Sequence, residues 1–239
     1  MANNMDTIVS KVRFHIKDIY INDQELEMLV TQVLEDIAGT TKIFKKLYGF
    51  TLHESIEVYN FREIARMNEQ VEVELQDVVI GTPDRSEMIK FLLSGSFPTP
   101  NVQKTQFVES DAMSYMLDLL DIFDANGMSV TDKFQYHGTT QYYCLDKYWR
   151  KDNDTKTFCF TASVSPHIDE INPEDLLIIM DAVIEGVKYY AANTLQTVED
   201  GQVANIYYQR FFSKQQNLID RYPTQIFSIM SPKGISQWP

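Results

Sequence analysis

The chain has 239 residues, of which 44% are hydrophobic and 23% charged, and its formal net charge at pH 7 is -13. This composition is typical of a folded globular protein and excludes a chain that is disordered over most of its length. The 34 acidic against 21 basic residues argue against a nucleic-acid-binding surface, because a polyanion is repelled unless the basic residues collect on one face.

The number of cysteines and the N-terminal residues indicate the cellular compartment of the protein. The chain has two cysteines, Cys144 and Cys159, and a protein of this size does not need a single disulfide for its stability. The first thirty residues contain no uninterrupted apolar run, so neither a secretory signal nor a membrane span is predicted there. The sequence therefore predicts a protein of a reducing cytoplasm without a membrane partner.

The N-terminal part of the chain predicts helices. Apolar residues three and four apart indicate a first helix over residues 7–19. A capping-box pattern at Asn22 and Glu25 predicts a second helix, which Gly39 is expected to end. A third helical piece is predicted over residues 41–48.

The spacing of apolar residues changes in the middle of the chain. Residues 55–61 and 71–80 alternate apolar and polar side chains and contain many β-branched residues, which predicts strands. Prolines, serines and glycines predict loops over residues 82–106, around one short helical piece near residues 88–93. Residues 114–123 return to helical spacing, and a helix is predicted there.

A β-hairpin is predicted from residues 141–149 and 156–164, which flank the polar stretch RKDNDT. The hairpin would bring Cys144 near Cys159 across its two strands. A redox pair is one interpretation of these thiols. Two small hydrophobic side chains in a sheet is the favoured one, since free cysteine commonly packs in this way.

The last third of the sequence predicts two long helices. Asn172 as the N-cap and Pro173 at the first helical position predict the start of the first, a helix of about seven turns. Gly186 is one of several small residues on this helix that would let a neighbouring helix come close. The sequence EDG at residues 199–201 is expected to separate it from a second helix over residues 202–223, and so short a connection predicts antiparallel packing.

The final predicted helix contains the aromatic sequence NIYYQRFF. The helix is predicted through its apolar residues Ile206, Phe211, Leu218 and Tyr222. Stacking on single-stranded nucleic acid is an alternative use of these rings, but such a surface also needs a positive groove. Burial or contact with another subunit is therefore the favoured interpretation.

No catalytic or cofactor motif is found in the sequence. The four histidines are scattered, and CxxC, GxxxxGK[ST], GxGxxG and GxSxG are all absent. The most suggestive cluster is His167, Asp169 and Glu170, which could act as a base with orienting acids. Acidic residues also collect before a helix because its N-terminal dipole favours them, and this structural interpretation is preferred. We therefore expect a protein that is not an enzyme and that uses no cofactor or metal.

Residues 223–239, with the sequence PTQIFSIMSPKGISQWP, form an apolar C-terminal arm. Three prolines and Gly234 prevent it from forming a long helix or a central strand. Its apolar residues would leave water only against another surface, for instance by extending the edge of a partner's sheet. The predicted partner-docking residues are Ile226, Phe227, Ile229, Met230, Ile235 and Trp238.

The order of these elements resembles the head-to-tail connector, or adaptor, family of tailed bacteriophages. The similarity lies in the N-terminal helical pair, the helical sequence PEDLLIIMDAVIEGVKYYAAN, its partner GQVANIYYQRFFSKQQNL and the extended arm. It covers residues 7–60 and 157–239 and contains no invariant motif. Residues 55–128 make the middle longer than in the leanest connectors.

The resemblance implies a mainly α fold with a small β insertion, that is, a bundle of antiparallel helices with a β-hairpin and an extended C-terminal arm. Residues 1–54 would supply the N-terminal helices of the bundle. Residues 55–156 would form a middle region of short strands, loops and a helix. Residues 157–222 would add a strand and two long helices, and residues 223–239 the docking arm.

The resemblance also implies a function. Connectors are structural virion proteins that form a ring, commonly of twelve copies, between the portal vertex and the tail, and double-stranded DNA passes through the lumen without sequence-specific binding. The implied partners are the portal protein, a tail or second ring protein and further copies of the chain. The implied location is the head–tail junction of the virion, after assembly in the host cytoplasm. The alternatives are a non-viral regulatory or scaffolding adaptor and an enzyme with a site near His167.

Overall fold

A computed structural model describes residues 4–16, 21–70, 78–81, 85–94, 97–98, 115–136, 141–194 and 198–223. Seven helices and seven strands lie within these ranges. The helices are α1 (Asn4–His15), α2 (Asp23–Thr41), α3 (Phe61–Gln70), α4 (Arg85–Ser94), α5 (Lys147–Asp152), α6 (Pro173–Thr194) and α7 (Val198–Arg221). The strands are β1 (Phe44–Thr51), β2 (Val58–Asn60), β3 (Val79–Ile80), β4 (Tyr115–Phe123), β5 (Gln135–Tyr136), β6 (Gln141–Tyr143) and β7 (Thr157–Ser165).

The strands form two antiparallel sheets. The larger has four strands in the order β3-β1-β7-β4, and the smaller has three in the order β2-β6-β5. The central strands β1 and β7 pair continuously from Lys45 opposite Ser163 to Thr51 opposite Thr157. Both are buried along almost their whole length, which places the larger sheet in the middle of the core.

The expected mainly α fold, a bundle of antiparallel helices with a small β insertion, is therefore wrong. Two antiparallel sheets take the place of the predicted hairpin, and two of their strands, β1 and β4, lie where helices were predicted. The physical reason is that a strand buried on both faces has no alternating polar face, so its sequence resembles a buried helix.

Four helices pack together beside the larger sheet. Helices α2 and α6 contact each other and both contact α1 and α7, and α2 also contacts β7. Helices α6 and α7 run antiparallel, as predicted, because Asp181 pairs with Lys214 at 2.8 Å while the rings of Tyr189 and Tyr208 lie 5.3 Å apart. The strands from β1 to β7 are thus inserted in sequence between α2 and α6.

The predicted close approach of helices at Gly186 is confirmed. A Cβ atom added to this glycine of α6 would lie 2.6 Å from Cγ1 of Val33 on α2 and 2.9 Å from a ring carbon of Phe211 on α7. Three helices therefore meet at one residue without a side chain.

Helix starts follow the capping signals in the sequence. The side chain of Asn22 accepts a hydrogen bond from the Glu25 N–H at 2.8 Å, and the Glu25 carboxylate accepts one from the Asn22 N–H at 3.2 Å. Helix α6 begins at Pro173, as predicted. The predicted stop at Gly39 is wrong, since α2 continues to Thr41 and closes at Lys42, whose φ of 54° is left-handed.

The helical piece predicted over residues 41–48 is instead β1. Phe44, Tyr48 and Phe50 face one side of the sheet, where Tyr48 stacks on Phe160, and Leu47 belongs to a second buried cluster with α4. Gly49 is not a helix stop. It lies within the strand, where a Cβ atom would come 2.1 Å from the ring of Phe97.

The helix predicted over residues 114–123 is β4. Its pairing with β7 shifts by one residue between Met116 and Asp118 and again between Leu119 and Asp121. Each irregularity inserts an extra residue and reverses the phase of the alternation. Met116, Leu119 and Ile122, which all pack into the main core, are thus spaced three residues apart, close to the period of a helix.

The predicted hairpin of residues 141–149 and 156–164 is also wrong. Strand β6 belongs to the smaller sheet and β7 to the larger one, and α5 lies between them. The side chain of Asp146 caps α5 by accepting a hydrogen bond from the Trp149 N–H at 3.0 Å. Arg150 fixes this helix, because its buried guanidinium donates to the Glu54 carbonyl at 3.0 Å and to the Glu57 carboxylate at 2.9 Å.

Asn68 of α3 completes the hydrogen bonding of β1. Its fully buried amide accepts from the Gly49 N–H at 3.0 Å and donates to the Gly49 carbonyl at 2.8 Å. Strand β3 has two residues and pairs only with Phe44 and Lys45 of β1, so it does not reach Gly49. The Asn68 amide supplies the hydrogen bonds that a longer neighbouring strand would supply there.

We expect Asn68→Ala to lower the free energy of unfolding by about 2–5 kcal/mol, because the substitution leaves the N–H and the carbonyl of Gly49 buried without these partners. The matched control is Asn205→Ala on the exposed side of α7, which should change the stability by less than about 0.5 kcal/mol. Urea unfolding followed by circular dichroism measures both values. Similar values for the two variants would contradict the role of the Asn68 amide.

Two helical glycines form a second matched pair. Nothing lies within 4 Å of a Cβ atom added to Gly39, so Gly39→Ala should raise the unfolding free energy by about 0.5–1 kcal/mol through helix propensity. Gly186→Ala should lower it by about 1–3 kcal/mol, because the new methyl group overpacks the contact with Val33 and Phe211. Chemical denaturation tests the opposite signs, and a gain in both variants would disprove the close contact.

Candidate partner-binding surfaces

The predicted docking residues of the C-terminal arm lie outside the described residues. They are Ile226, Phe227, Ile229, Met230, Ile235 and Trp238. The last described residue is Pro223, which follows the end of α7. The described residues contain exposed apolar surfaces to which such an arm or another subunit could bind.

The structure brings together two residues of the suggested acid–base cluster and directs the third elsewhere. His167 caps a short 3₁₀ turn, Ile168–Glu170, and its Nδ1 lies 3.7 Å from the Asp169 carboxylate at the surface. The carboxylate of Glu170 instead approaches the Nζ atom of Lys46 at 3.7 Å. Glu170 therefore belongs to a different set of charges.

Lys46 lies at the centre of this set of buried charges. Its Nζ atom is 2.9 Å from the Glu69 carboxylate, and the side chains of both residues are at most 5% exposed. The ammonium links β1 to α3 through Glu69 and to the turn before α6 through Glu170. Burial also lowers the pKa of the adjacent Lys45. The contacts of Lys46 join three parts of the fold, which is a structural role.

The two cysteines are buried in different places. Cys144 follows β6 and packs in the main hydrophobic core, whereas Cys159 of β7 packs with α4 on the other face of the larger sheet. Burial raises the pKa of Cys144 to about 11 and that of Cys159 to about 12. Both cysteines are small buried side chains, as the preferred interpretation holds, but only Cys159 lies within a strand. Both thiols are protonated at neutral pH.

Helix α7 carries large apolar side chains on two sides of its buried stripe. Phe211 and Leu218 are buried, whereas Ile206 is 51% exposed. Val203 is exposed beside it. We call Val203 and Ile206 the Ile206 flank.

The second exposed side of α7 is aromatic. Tyr208 and Phe212 are both about half exposed, and their ring centroids lie 6.4 Å apart. The ring of Tyr208 also contacts Tyr189 of α6. We call Tyr208 and Phe212 the Phe212 flank. The helical period could have revealed both flanks, because Ile206 and Phe211 are five residues apart and cannot share one face.

A groove of about 360 Å³ lies between α1 and α6. Met180 and Ile184 form its apolar floor, and Phe14, which is 64% exposed, forms one wall. Lys11, His15, Asp181 and Ser10 complete the lining. This α1–α6 groove combines an apolar floor with a charged rim, which suits a peptide or a side chain of mainly apolar character.

Neither a cluster of metal ligands nor a membrane-spanning helix occurs within the described ranges. No group of three or more His, Cys, Asp or Glu side chains in that part of the chain is placed to hold a metal ion. Among the described helices, none combines the length and the apolar character needed to cross a bilayer.

Comparison with known proteins gives no family for this chain. No family model matches its sequence, and no curated protein matches it.

The two buried, protonated thiols are expected to react slowly with a disulfide reagent. In the native protein at pH 7.5, both cysteines should react with a disulfide reagent such as Ellman's reagent at least about a hundredfold more slowly than after unfolding, since the thiolate is the nucleophile and both thiols are buried. Absorbance at 412 nm with and without denaturant measures the two rates. Fast reaction of one equivalent in the native state would contradict the burial and protonation of that thiol.

Proposed function

We propose that this chain is the subunit of a homo-oligomeric ring that joins the portal vertex of a tailed phage capsid to its tail. DNA passes through the centre of the ring without sequence-specific binding. The observation that carries the proposal is the presence of two separate exposed apolar flanks on the single helix α7.

The two flanks face in different directions. Val203 and Phe212 are nine residues apart, which is about two and a half turns of an α-helix, so the Ile206 flank and the Phe212 flank lie on opposite sides of α7. Burial of large apolar side chains such as Ile206 and Phe212 is favourable, so their exposure to water is unfavourable compared with a buried position. Contact with other proteins would remove both flanks from water.

Two different patches favour a ring over a twofold dimer. A twofold contact uses one patch twice, because the same surface of each subunit meets its equivalent. A head-to-tail contact joins one patch to a different patch on the next subunit and closes into a ring when the rotation permits. The Ile206 flank of one copy would then meet the Phe212 flank of its neighbour.

The charge and the chain layout support the position of the ring at a portal. A net charge of -13 suits a lumen through which DNA slides, because negative walls do not hold a polyanion. Helices α1, α2, α6 and α7 pack together, so the two helical pairs on which the resemblance to connectors rests are neighbours, whereas two sheets stand between them in sequence where a small hairpin was expected. The arm of residues 223–239 would dock on the portal or on a neighbouring copy.

The decisive test uses charge at each flank. We expect Ile206→Glu and Phe212→Glu each to abolish the ring seen by native mass spectrometry and negative-stain microscopy of the full chain, alone and with the portal protein of the same genome. An equimolar mixture of the two variants should stop at dimers, because only one productive pair of flanks remains in the mixture.

The matched control is Tyr148→Glu, which charges an aromatic side chain that is 83% exposed on α5 and should leave the ring intact. Circular dichroism verifies that every variant is folded. A wild-type chain that stays monomeric with the portal present would refute the proposed function. A ring that survives both flank variants would refute the interface.

A further inference from the structure

The α1–α6 groove is an apolar surface for which the chain itself supplies a suitable occupant. Its exposed wall, Phe14, stands in T-shaped contact with His15, the ring centroids 5.4 Å apart. Leu177 lies one helical turn before Asp181 on α6 and is 62% exposed, so it extends the apolar surface along the helix. An apolar strip of this kind marks a binding site for a segment of matching character.

Residues 224–239 have that character. They carry six large apolar side chains, one lysine and no acidic side chain in a protein that otherwise has a large excess of acids. Their approach to the acidic body of the chain is therefore not opposed by charge. Trp238 and Phe227 supply flat rings, the type of side chain that contributes most to burial at interfaces.

The position of the chain end brings this segment near the groove. Tyr222 lies beside Gly81, and the neighbouring Ile80 donates its N–H to the Asp175 carboxylate in the first turn of α6 at 3.1 Å. Pro223 thus lies near the start of α6. Ile184 at the groove floor is nine residues further along the same helix, a rise of about 14 Å.

The length of the segment exceeds what its own groove requires. About four extended residues span 14 Å, which would use the segment only as far as Phe227. Trp238 is fifteen residues beyond Pro223, and an extended chain of that length reaches about 50 Å. A compact domain of 239 residues has a diameter of about 45 Å, so Trp238 can reach the equivalent groove of an adjacent copy.

We propose that the α1–α6 groove of each subunit binds residues 224–239 of a neighbouring copy, with the indole of Trp238 against Phe14, Met180 and Ile184. This inference rests on the proposed ring. It adds a second contact between the same two subunits, so that the arm of one copy and the flanks of α7 hold together the same interface. Because the ring closes, each copy both donates an arm and accepts one.

Disulfide trapping tests the pairing. The variant Ser10→Cys/Gln237→Cys places one thiol at the groove edge and one beside Trp238, while the buried Cys144 and Cys159 remain in place. After mild oxidation, we expect a ladder of covalent oligomers on a non-reducing gel. The control variant Gln32→Cys/Gln237→Cys has its first thiol on the exposed side of α2 and should give no ladder.

A change in the groove provides a second measurement. Adding Phe14→Glu to the cross-linking variant should slow formation of the ladder by about tenfold, because a charge replaces the apolar wall. Phe14 is mostly exposed, so the fold should survive, and circular dichroism verifies this.

The outcomes separate this inference from the ring itself. A cross-linked monomer alone would show that the arm occupies its own groove and would overturn neighbour binding. A ladder equal to that of the control would show unspecific collision and would also overturn it. A ring in native mass spectrometry without any cross-link would refute the groove and leave the ring standing, whereas monomers without any cross-link would refute both.

Discussion

The pairing of β1 with β7 is the contact on which the rest of this structure depends. The two strands are far apart in the sequence, yet they pair continuously from Lys45 opposite Ser163 to Thr51 opposite Thr157. Because β1 follows α2 and β7 leads to α6, the pairing of β1 with β7 brings the N-terminal helices beside the C-terminal pair. The contact of three helices at Gly186 and the groove between α1 and α6 both follow from that arrangement.

Buried charge reinforces the same arrangement. An ammonium group in the core is costly unless it is paired, and removal of one partner of a buried pair strongly destabilises a protein. Lys46 of β1 meets Glu69 of α3 and Glu170 of the turn before α6, so its position is compatible with one register of the strand. A slip of β1 by one residue would turn Lys46 to the opposite face of the sheet, away from both carboxylates.

The exposed apolar surfaces are divided between the helices in a way that suits repeated assembly. The Ile206 flank and the Phe212 flank lie on opposite sides of α7, and the α1–α6 groove lies elsewhere on the helical layer. Each surface is small, and each contact alone would be weak. Closed symmetry repeats every contact around a ring, so that modest contacts become a stable assembly without a large interface in any one pair.

Local signals in the sequence were enough to predict the helices whose ends are fixed by their own residues. The capping box of Asn22 and Glu25 is such a signal, because its partners are three residues apart. The sequence also identified an apolar arm, but not the surface that would receive it. Strands β1 and β4 could not be predicted from short-range patterns. The burial of β1 depends on a partner strand far away in the sequence, and two irregularities in β4 give it the spacing of a helix. The sequence by itself thus determined composition, charge and the capped helices, whereas the tertiary structure decided the sheets, the groove and the exposed side of each helix, because these depend on which distant segments exclude water from one another.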